Sequence, residues 1–304
     1  MRTLVTGGAG LIGMALRPLL AERHHAVTAC DATDYGRGDK SLLIVPLDDT
    51  GALEQIVRSR SIEAIIHCGA ISGPMLAKGE PLTIVDTNIG STARLLDIAR
   101  RHNLRRFVFC SSIGVYGNVG QGIIRESTPL APTSVYGASK VAGEALVRGF
   151  VAEYGLSAVS LRPSRVYGAY RRGNCFIRDI VLDSRAGRTT VIPCDPGFLF
   201  HYIYVDDVAA ALIAALEAEH LPQLAYNVDA GTPMTMREVV TIASAVLPEA
   251  SIELVPGSDA VADAQAGFDI SLTTADLGWR PQFALAEGIH DYALKVPVAT
   301  MRRT

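Results

Sequence analysis

Lysine is scarce in this 304-residue chain: of its 28 basic residues only Lys40, Lys78, Lys140 and Lys295 are not arginine. There is one tryptophan, and the five cysteines (Cys30, Cys68, Cys110, Cys175, Cys194) show neither paired nor metal-like spacing. No metal site is expected, and unpaired thiols ending apolar runs suit a reducing, cytoplasmic compartment. Charged residues make up only 19% and the net charge is −3, so no general attraction to nucleic acid or to anionic membrane is expected. Long apolar runs are missing too. The longest, around Val208–Leu216, suits a buried helix and is too short to span a bilayer. No charged-then-apolar leader precedes "RTLVTGG", so a secretory signal is not expected.

What is present is a hydrophobic fraction of 49%, enough for a large core. Short apolar runs alternate with helical stretches through the first two-thirds: "RTLVTG", "AVTACD", "SLLIVP", "EAIIHCGA", "RRFVFCSS" and "SAVSLRP" read as strands. Unbroken apolar strands separated by helices predict a parallel sheet covered on both faces, the Rossmann-like doubly wound α/β fold. Beyond about Pro163 the loops become long and rich in Gly, Arg and Pro. The expected division is a nucleotide-binding domain over 1–162, with a returning part around 201–228, and a smaller substrate-binding lobe mainly over 163–304.

"LVTGGAGLIG" sets Gly7, Gly8, Gly10 and Gly13 between the first strand and the first helix. Glycines there permit a tight turn and a close approach of backbone to phosphate, and the helix start offers free N–H groups to a diphosphate. The next strand ends in Asp31, where a carboxylate would accept hydrogen bonds from ribose hydroxyls and repel a 2′-phosphate. NAD is therefore expected over NADP, with Arg37 nearby as the one contrary signal.

Tyr136 and Lys140 lie one helical turn apart in "SVYGASKVAGEAL". A free tyrosine titrates near 10. A neighbouring ammonium favours the phenolate, so Lys140 is expected to draw Tyr136 down. Ten tyrosines and four lysines make the spacing alone weak. It gains weight from "FVFCSSIGVYG", where Ser111 and Ser112 end a strand at the carboxyl edge and a hydroxyl can hold the reacting oxygen.

With these residues in view, "TGGAGLIG", "CSSIGVYG", "ESTPLAPTSVYGASKVAGE", "RPSRVYG" and "YIYVDDVAAAL" resemble the signature blocks of the extended short-chain dehydrogenase/reductase family, the NAD-dependent sugar epimerases and dehydratases. The resemblance implies a catalytic set of Ser112, Tyr136 and Lys140. The cofactor set expected here is Gly7, Gly10, Leu11, Ile12, Gly13, Asp31, Asp48, Ala70, Asn88, Tyr136 and Lys140. The resemblance also implies a homodimer, built through two helices per subunit, one of them carrying the tyrosine.

The departures from the family pattern bear on the substrate. Where the 4,6-dehydratases have an acidic pair, this chain has Ile113 and Gly114, which carry no proton, so that elimination is not expected. Phe200 and then His201 stand where nucleotide-sugar enzymes tend to have an arginine, and no arginine occurs between Arg237 and Arg280. Arg165 replaces the family's asparagine. A guanidinium can hold a carboxylate through two parallel bonds. The expected substrate is a small sugar, sugar acid or hydroxy acid contacted by Ser72, Ser112, Arg165, Arg172 and His201. The alternative for Arg165 is an internal aspartate partner. Two reactions stay open: a dehydrogenase, or an epimerase using the same first half-reaction with NAD retained. Asp206 and Asp207 are expected to cap a helix, His67 to be a satisfied core residue, and Trp279 to pack.

Overall fold

The computed structural model describes residues 1–73, 77, 79–259 and 262–296. Seven strands form one wholly parallel sheet: β1 (Arg2–Thr6), β2 (Ala26–Asp31), β3 (Leu42–Ile44), β4 (Ala64–His67), β5 (Arg106–Cys110), β6 (Ala158–Pro163) and β7 (Ala225–Val228), in the order β7-β6-β5-β4-β1-β2-β3. Strand order reverses direction at β1, which places a crevice outside the carboxyl ends of β1 and β4.

Alternation along each strand explains why both faces are covered. Leu4, Ile65 and Phe107 point to one side, where α2 (Thr50–Ser59), α3 (Ser91–Arg101) and α4 (Val135–Tyr154) bury Leu53, Leu95, Leu96 and Val147. Val5, Ile66 and Val108 point to the other, against Leu16 and Leu20 of α1 (Leu11–Glu22) and Leu212 of α5 (Val205–Glu217). Each such side chain, fully buried, contributes about 1.5–3 kcal/mol, and both periodicities converge on the same register. The α/β class read from the sequence is the observed one.

Beyond the sheet the chain makes short two-stranded pairs. Arg165–Tyr167 lies parallel to Tyr202–Tyr204, Thr189–Pro193 to Ser251–Val255, and Val119–Ile124 to Gln265–Phe268. Leu199–Phe200 runs antiparallel to Met234–Thr235. No helix among the described residues is long and apolar enough to cross a membrane.

The stretch "TIVDTNIGSTARLLDIARRH" (83–102), whose pattern reads as one helix, is two helical segments joined by a π-turn over Asp86–Gly90. The extra residue in that turn aims Asn88 sideways. Its amide accepts from the Ile71 N–H (2.9 Å) and donates to the Ile71 carbonyl (3.2 Å) and to Ser139 Oγ (2.9 Å). π-turns often mark functional positions.

Candidate active site

β1 runs directly into Gly7, at φ +70°, and a Cβ there would lie 2.7 Å from Gly69 Cα. On Gly13 a Cβ would come within 2.2 Å of the Gly7 carbonyl oxygen. Two backbones are thus packed at glycine distance. The first helix opens at Leu11 with Gly10 as a side-chain-free cap, leaving its first N–H groups for an anion. Gly7, Gly10, Leu11, Ile12 and Gly13 line a cleft of about 1270 Å³, with Asp31, Asp48 and Ala70. That volume exceeds the roughly 300–1,000 Å³ of a single drug-sized site, enough for a cofactor and a second ligand. Asp31 closes the loop by accepting from the Ala9 N–H (3.0 Å) and the Ala32 N–H (2.8 Å). Burial raises its pKa against those bonds and against the Arg37 charge. A dinucleotide fits this cradle: the close backbone packing at Gly7 and Gly13 brings the loop and the free N–H groups of the first helix to the cleft.

α4 carries the reacting pair. Ser134 caps it by accepting from the Gly137 N–H (3.0 Å), so Tyr136 sits in the first turn and Lys140 one turn on, both facing the cleft. Lys140 Nζ donates to the Cys110 carbonyl (2.7 Å) and lies 5.8 Å from the centre of the Tyr136 ring. Ser112, two residues past the end of β5, accepts from the Gly114 N–H (3.1 Å) and lies beside Tyr136 in the cleft lining. The structure therefore gathers Ser112, Tyr136 and Lys140 in one wall of the cleft. Ser111 also borders the cleft, but its hydroxyl is committed to Glu144 Oε1 (2.6 Å). Asn88 does not line the cleft; it ties the loop at Ile71 to α4 through Ser139.

The electrostatics correct one expectation. Burial pushes the Tyr136 hydroxyl up to about 12, with the Cys110 thiolate charge adding to that, and the forces drawing it down are the Ser112 hydrogen bond and the charge of Arg171. Lys140 is not among them. Its ammonium is turned to the Cys110 carbonyl, and burial lowers its own pKa.

On the substrate side, Ser72, Ser112, Arg165, Arg172 and His201 all line the cleft. Arg165, read as a carboxylate clamp, is instead paired with Asp259 at 2.7 Å and packed against Phe176, Phe200 and Tyr202. The internal partner was the alternative, and it holds because a half-buried guanidinium packed against aromatic rings favours a counter-charge. His201 lies 3.6 Å from Asp229 and 3.2 Å from the Gln265 carbonyl. Arg172 stacks 3.8 Å over the Tyr35 ring.

Other expectations resolve locally. His67 is satisfied in the core by Thr6 (2.7 Å) and Thr92 (3.2 Å), and Trp279 donates to the Asp207 carbonyl (3.0 Å). Asp206 and Asp207 do not cap α5. Asp207 accepts from the Gln282 and Phe283 N–H groups and Asp206 pairs with Lys295, because each meets chain that returns from far along the sequence. Of the loop Ala70–Pro81, residues 74–76 and 78 lie outside the described residues.

Sequence reasoning passed over Arg94, Tyr35, Cys68 and Cys110, which also line the cleft. Arg94 had a signal: it follows Thr87 and Gly90 at helical spacing, so the three share a face. A buried cluster was passed over as well. Arg162 bonds both oxygens of Glu144 (2.9 and 2.6 Å) and donates to Tyr116, which in turn donates to Asn227. It holds α4 against β6 directly beneath the reacting pair.

Residues 3–229 match the model of the NAD dependent epimerase/dehydratase family. A UDP-glucose 4-epimerase of Mycolicibacterium smegmatis is 33% identical over 95% of this chain and 96% of its own length. A Thermus thermophilus UDP-glucose 4-epimerase, solved in complex with NAD, superposes with a TM-score of 0.87 at 28% identity, covering 97% of this chain and 98% of its own. A consensus L-threonine 3-dehydrogenase superposes equally well, with TM-score 0.87, 25% identity, and 97% and 99% coverage. The chain belongs to the NAD-dependent epimerase/dehydratase family of enzymes.

Proposed function

We propose that this enzyme is a sugar epimerase that inverts one carbinol carbon through a ketone, keeping its NAD bound. Ser112, Tyr136 and Lys140 meeting in the wall of the glycine-loop cleft carry the reading. Bound NAD supplies the hydride acceptor, the same hydride for the return step, and a positive charge in the oxidised state. The residues around it divide the remaining work. Gly7, Gly10, Leu11, Ile12 and Gly13 would hold the diphosphate and Asp31 the adenosine ribose, with Asp48 and Ala70 also lining the cleft. Lys140 has three donors and gives one to Cys110, leaving two for ribose hydroxyls. Tyr136 takes the proton from the substrate hydroxyl and returns it to the same oxygen once the ketone has turned its opposite face to the cofactor, and Ser112 donates to that oxygen. Ile113 and Gly114 carry no acid for an elimination, which separates this site from a 4,6-dehydratase.

Relatives named as UDP-glucose 4-epimerases make a nucleotide sugar the leading substrate class. With Arg165 neutralised by Asp259, its diphosphate would fall to Arg171 and Arg172, beside Ser72 and His201. A second reading, a dehydrogenase of a small hydroxy acid, draws on the shortage of arginines at Phe200 and between Arg237 and Arg280, and on the likeness to a threonine dehydrogenase. A cytoplasmic homodimer completes the proposal; sedimentation as a monomer at micromolar concentration would remove the dimer.

The deciding experiment is to denature freshly purified protein and count the nicotinamide nucleotide released per chain. About one NAD per chain supports the epimerase, which regenerates its cofactor in place. Protein that carries none, and turns over only with added NAD, would overturn it in favour of the dehydrogenase.

A further inference from the structure

His67 of β4 and Phe109 of β5 are direct neighbours in register, and each is followed by a cysteine. Cys68 and Cys110 therefore sit side by side at the carboxyl ends of β4 and β5. Neighbouring strands lie about 4.8 Å apart, inside the Cα separation of roughly 4.4–6.8 Å that a disulfide spans. Both thiols line the cofactor cleft, together with Gly69, Ser112 and Lys140. The Cys110 carbonyl accepts from Lys140 Nζ at 2.7 Å. The remaining three cysteines are placed elsewhere: Cys30, Cys175 and Cys194 do not line the cleft.

We propose that Cys68 and Cys110 form a reversible redox site in the floor of the cofactor cleft, closed to a disulfide by peroxide when NAD is absent and shielded when NAD is bound.

The thiols are unequal in a way that suits this chemistry. Cys68 acts as the S–H donor to Cys110, which lowers Cys110 and raises Cys68, and the Lys140 ammonium lowers both. Cys110 is thus the nucleophile and Cys68 the resolving thiol. The Cys110 thiolate attacks one peroxide oxygen, breaking the O–O bond, and becomes a sulfenic acid while the leaving hydroxide takes up a proton as water. Cys68 sulfur then attacks the sulfenic sulfur, the S–O bond breaks, and the hydroxyl leaves with the Cys68 proton as a second water. Two thiols are oxidised, one peroxide is reduced to two waters, and a dithiol such as dithiothreitol reverses the bond by exchange. The bridge would tie β4 to β5 directly beside the Lys140 acceptor, altering the surface on which the nicotinamide ribose rests. Cofactor binding and oxidation then exclude each other.

The test uses wild-type protein freed of nucleotide, treated with hydrogen peroxide with and without NAD, then quenched, digested without reduction and mapped by mass spectrometry. The expected product is a Cys68–Cys110 linked peptide. With NAD at about ten times its Kd the linkage forms about tenfold more slowly, because only free protein reacts. The oxidised protein loses NAD binding, read by isothermal titration, and dithiothreitol restores it. Cys68→Ser protein yields Cys110 sulfenic acid, trapped by dimedone, with no linked peptide. Linkage of other cysteines, a rate indifferent to NAD, or full NAD affinity in the linked protein would each overturn the proposal.

Discussion

The guanidinium of Arg165 lies 2.7 Å from the carboxylate of Asp259, wedged among Phe176, Phe200 and Tyr202. The position is occupied by charge, yet the charge is already answered from within. A substrate carboxylate arriving there would have to displace Asp259 and leave it buried. Removing one partner of such a pair leaves the other uncompensated, at a cost of about 3–5 kcal/mol. Asp259→Asn should lose about 3 kcal/mol in urea denaturation while retaining its NAD affinity. An unchanged unfolding midpoint would show that the pair is idle.

Replacing Tyr136 by Phe should lower kcat by roughly 10²–10⁴-fold with NAD content unchanged, since only the proton carrier is lost. Burial raises this phenol to about 12, so its base form grows as pH rises. In the holoenzyme kcat/KM should therefore climb with pH on the acid side, and that limb should vanish from the residual activity of the Phe variant. A flat profile in the wild type would take the proton transfer away from Tyr136.

His67 is buried, and desolvation together with the Lys140 charge depresses its pKa from 6.5 to about 3. Below 6.5 the unfolded chain takes up a proton that the folded protein refuses. Stability should fall as pH drops from about 6.5 towards 3, by about 1.4 kcal/mol per unit from this group. Comparing unfolding free energies of wild type and His67→Gln across that window isolates the slope, because the carboxylates titrate in both.

Two glycines of helical sequence should respond oppositely to alanine. At Gly13 the new methyl meets the Gly7 carbonyl oxygen at 2.2 Å and Gly8 Cα at 2.7 Å, both backbone atoms, and NAD binding should be lost. At Gly149 in α4 it meets nothing within 4 Å, and alanine should stabilise by about 0.5–1 kcal/mol. Calorimetry and nucleotide content together separate the two.

These contrasts also explain what could be read without coordinates. The glycine loop and the Tyr136–Lys140 spacing are local patterns, governed by one turn and one helix. Their place in the cleft follows from strand order. For Arg165 the sequence leaves a substrate carboxylate and an internal aspartate both open, because the partner that decides it, Asp259, comes from a segment far along the chain. Asp207 defied reading for the same reason, since it holds Gln282 and Phe283 and caps nothing. The π-turn at Asn88 hides in an ordinary helical pattern, because its cause is a tertiary bond to Ile71. Val119–Ile124 is half glycine and polar residues, and it becomes a strand only by pairing with Gln265–Phe268.

The reaction proposed for this enzyme is an oxidation and re-reduction at one carbon without net redox change. The most direct measurement is to incubate the purified enzyme with UDP-glucose, with no NAD added, and follow the sugar by proton NMR and the cofactor by absorbance. UDP-galactose should appear up to a constant ratio while no reduced cofactor accumulates. Loss of substrate matched by accumulating NADH, or an inert UDP-glucose beside a hydroxy acid that is oxidised when NAD is supplied, would contradict it.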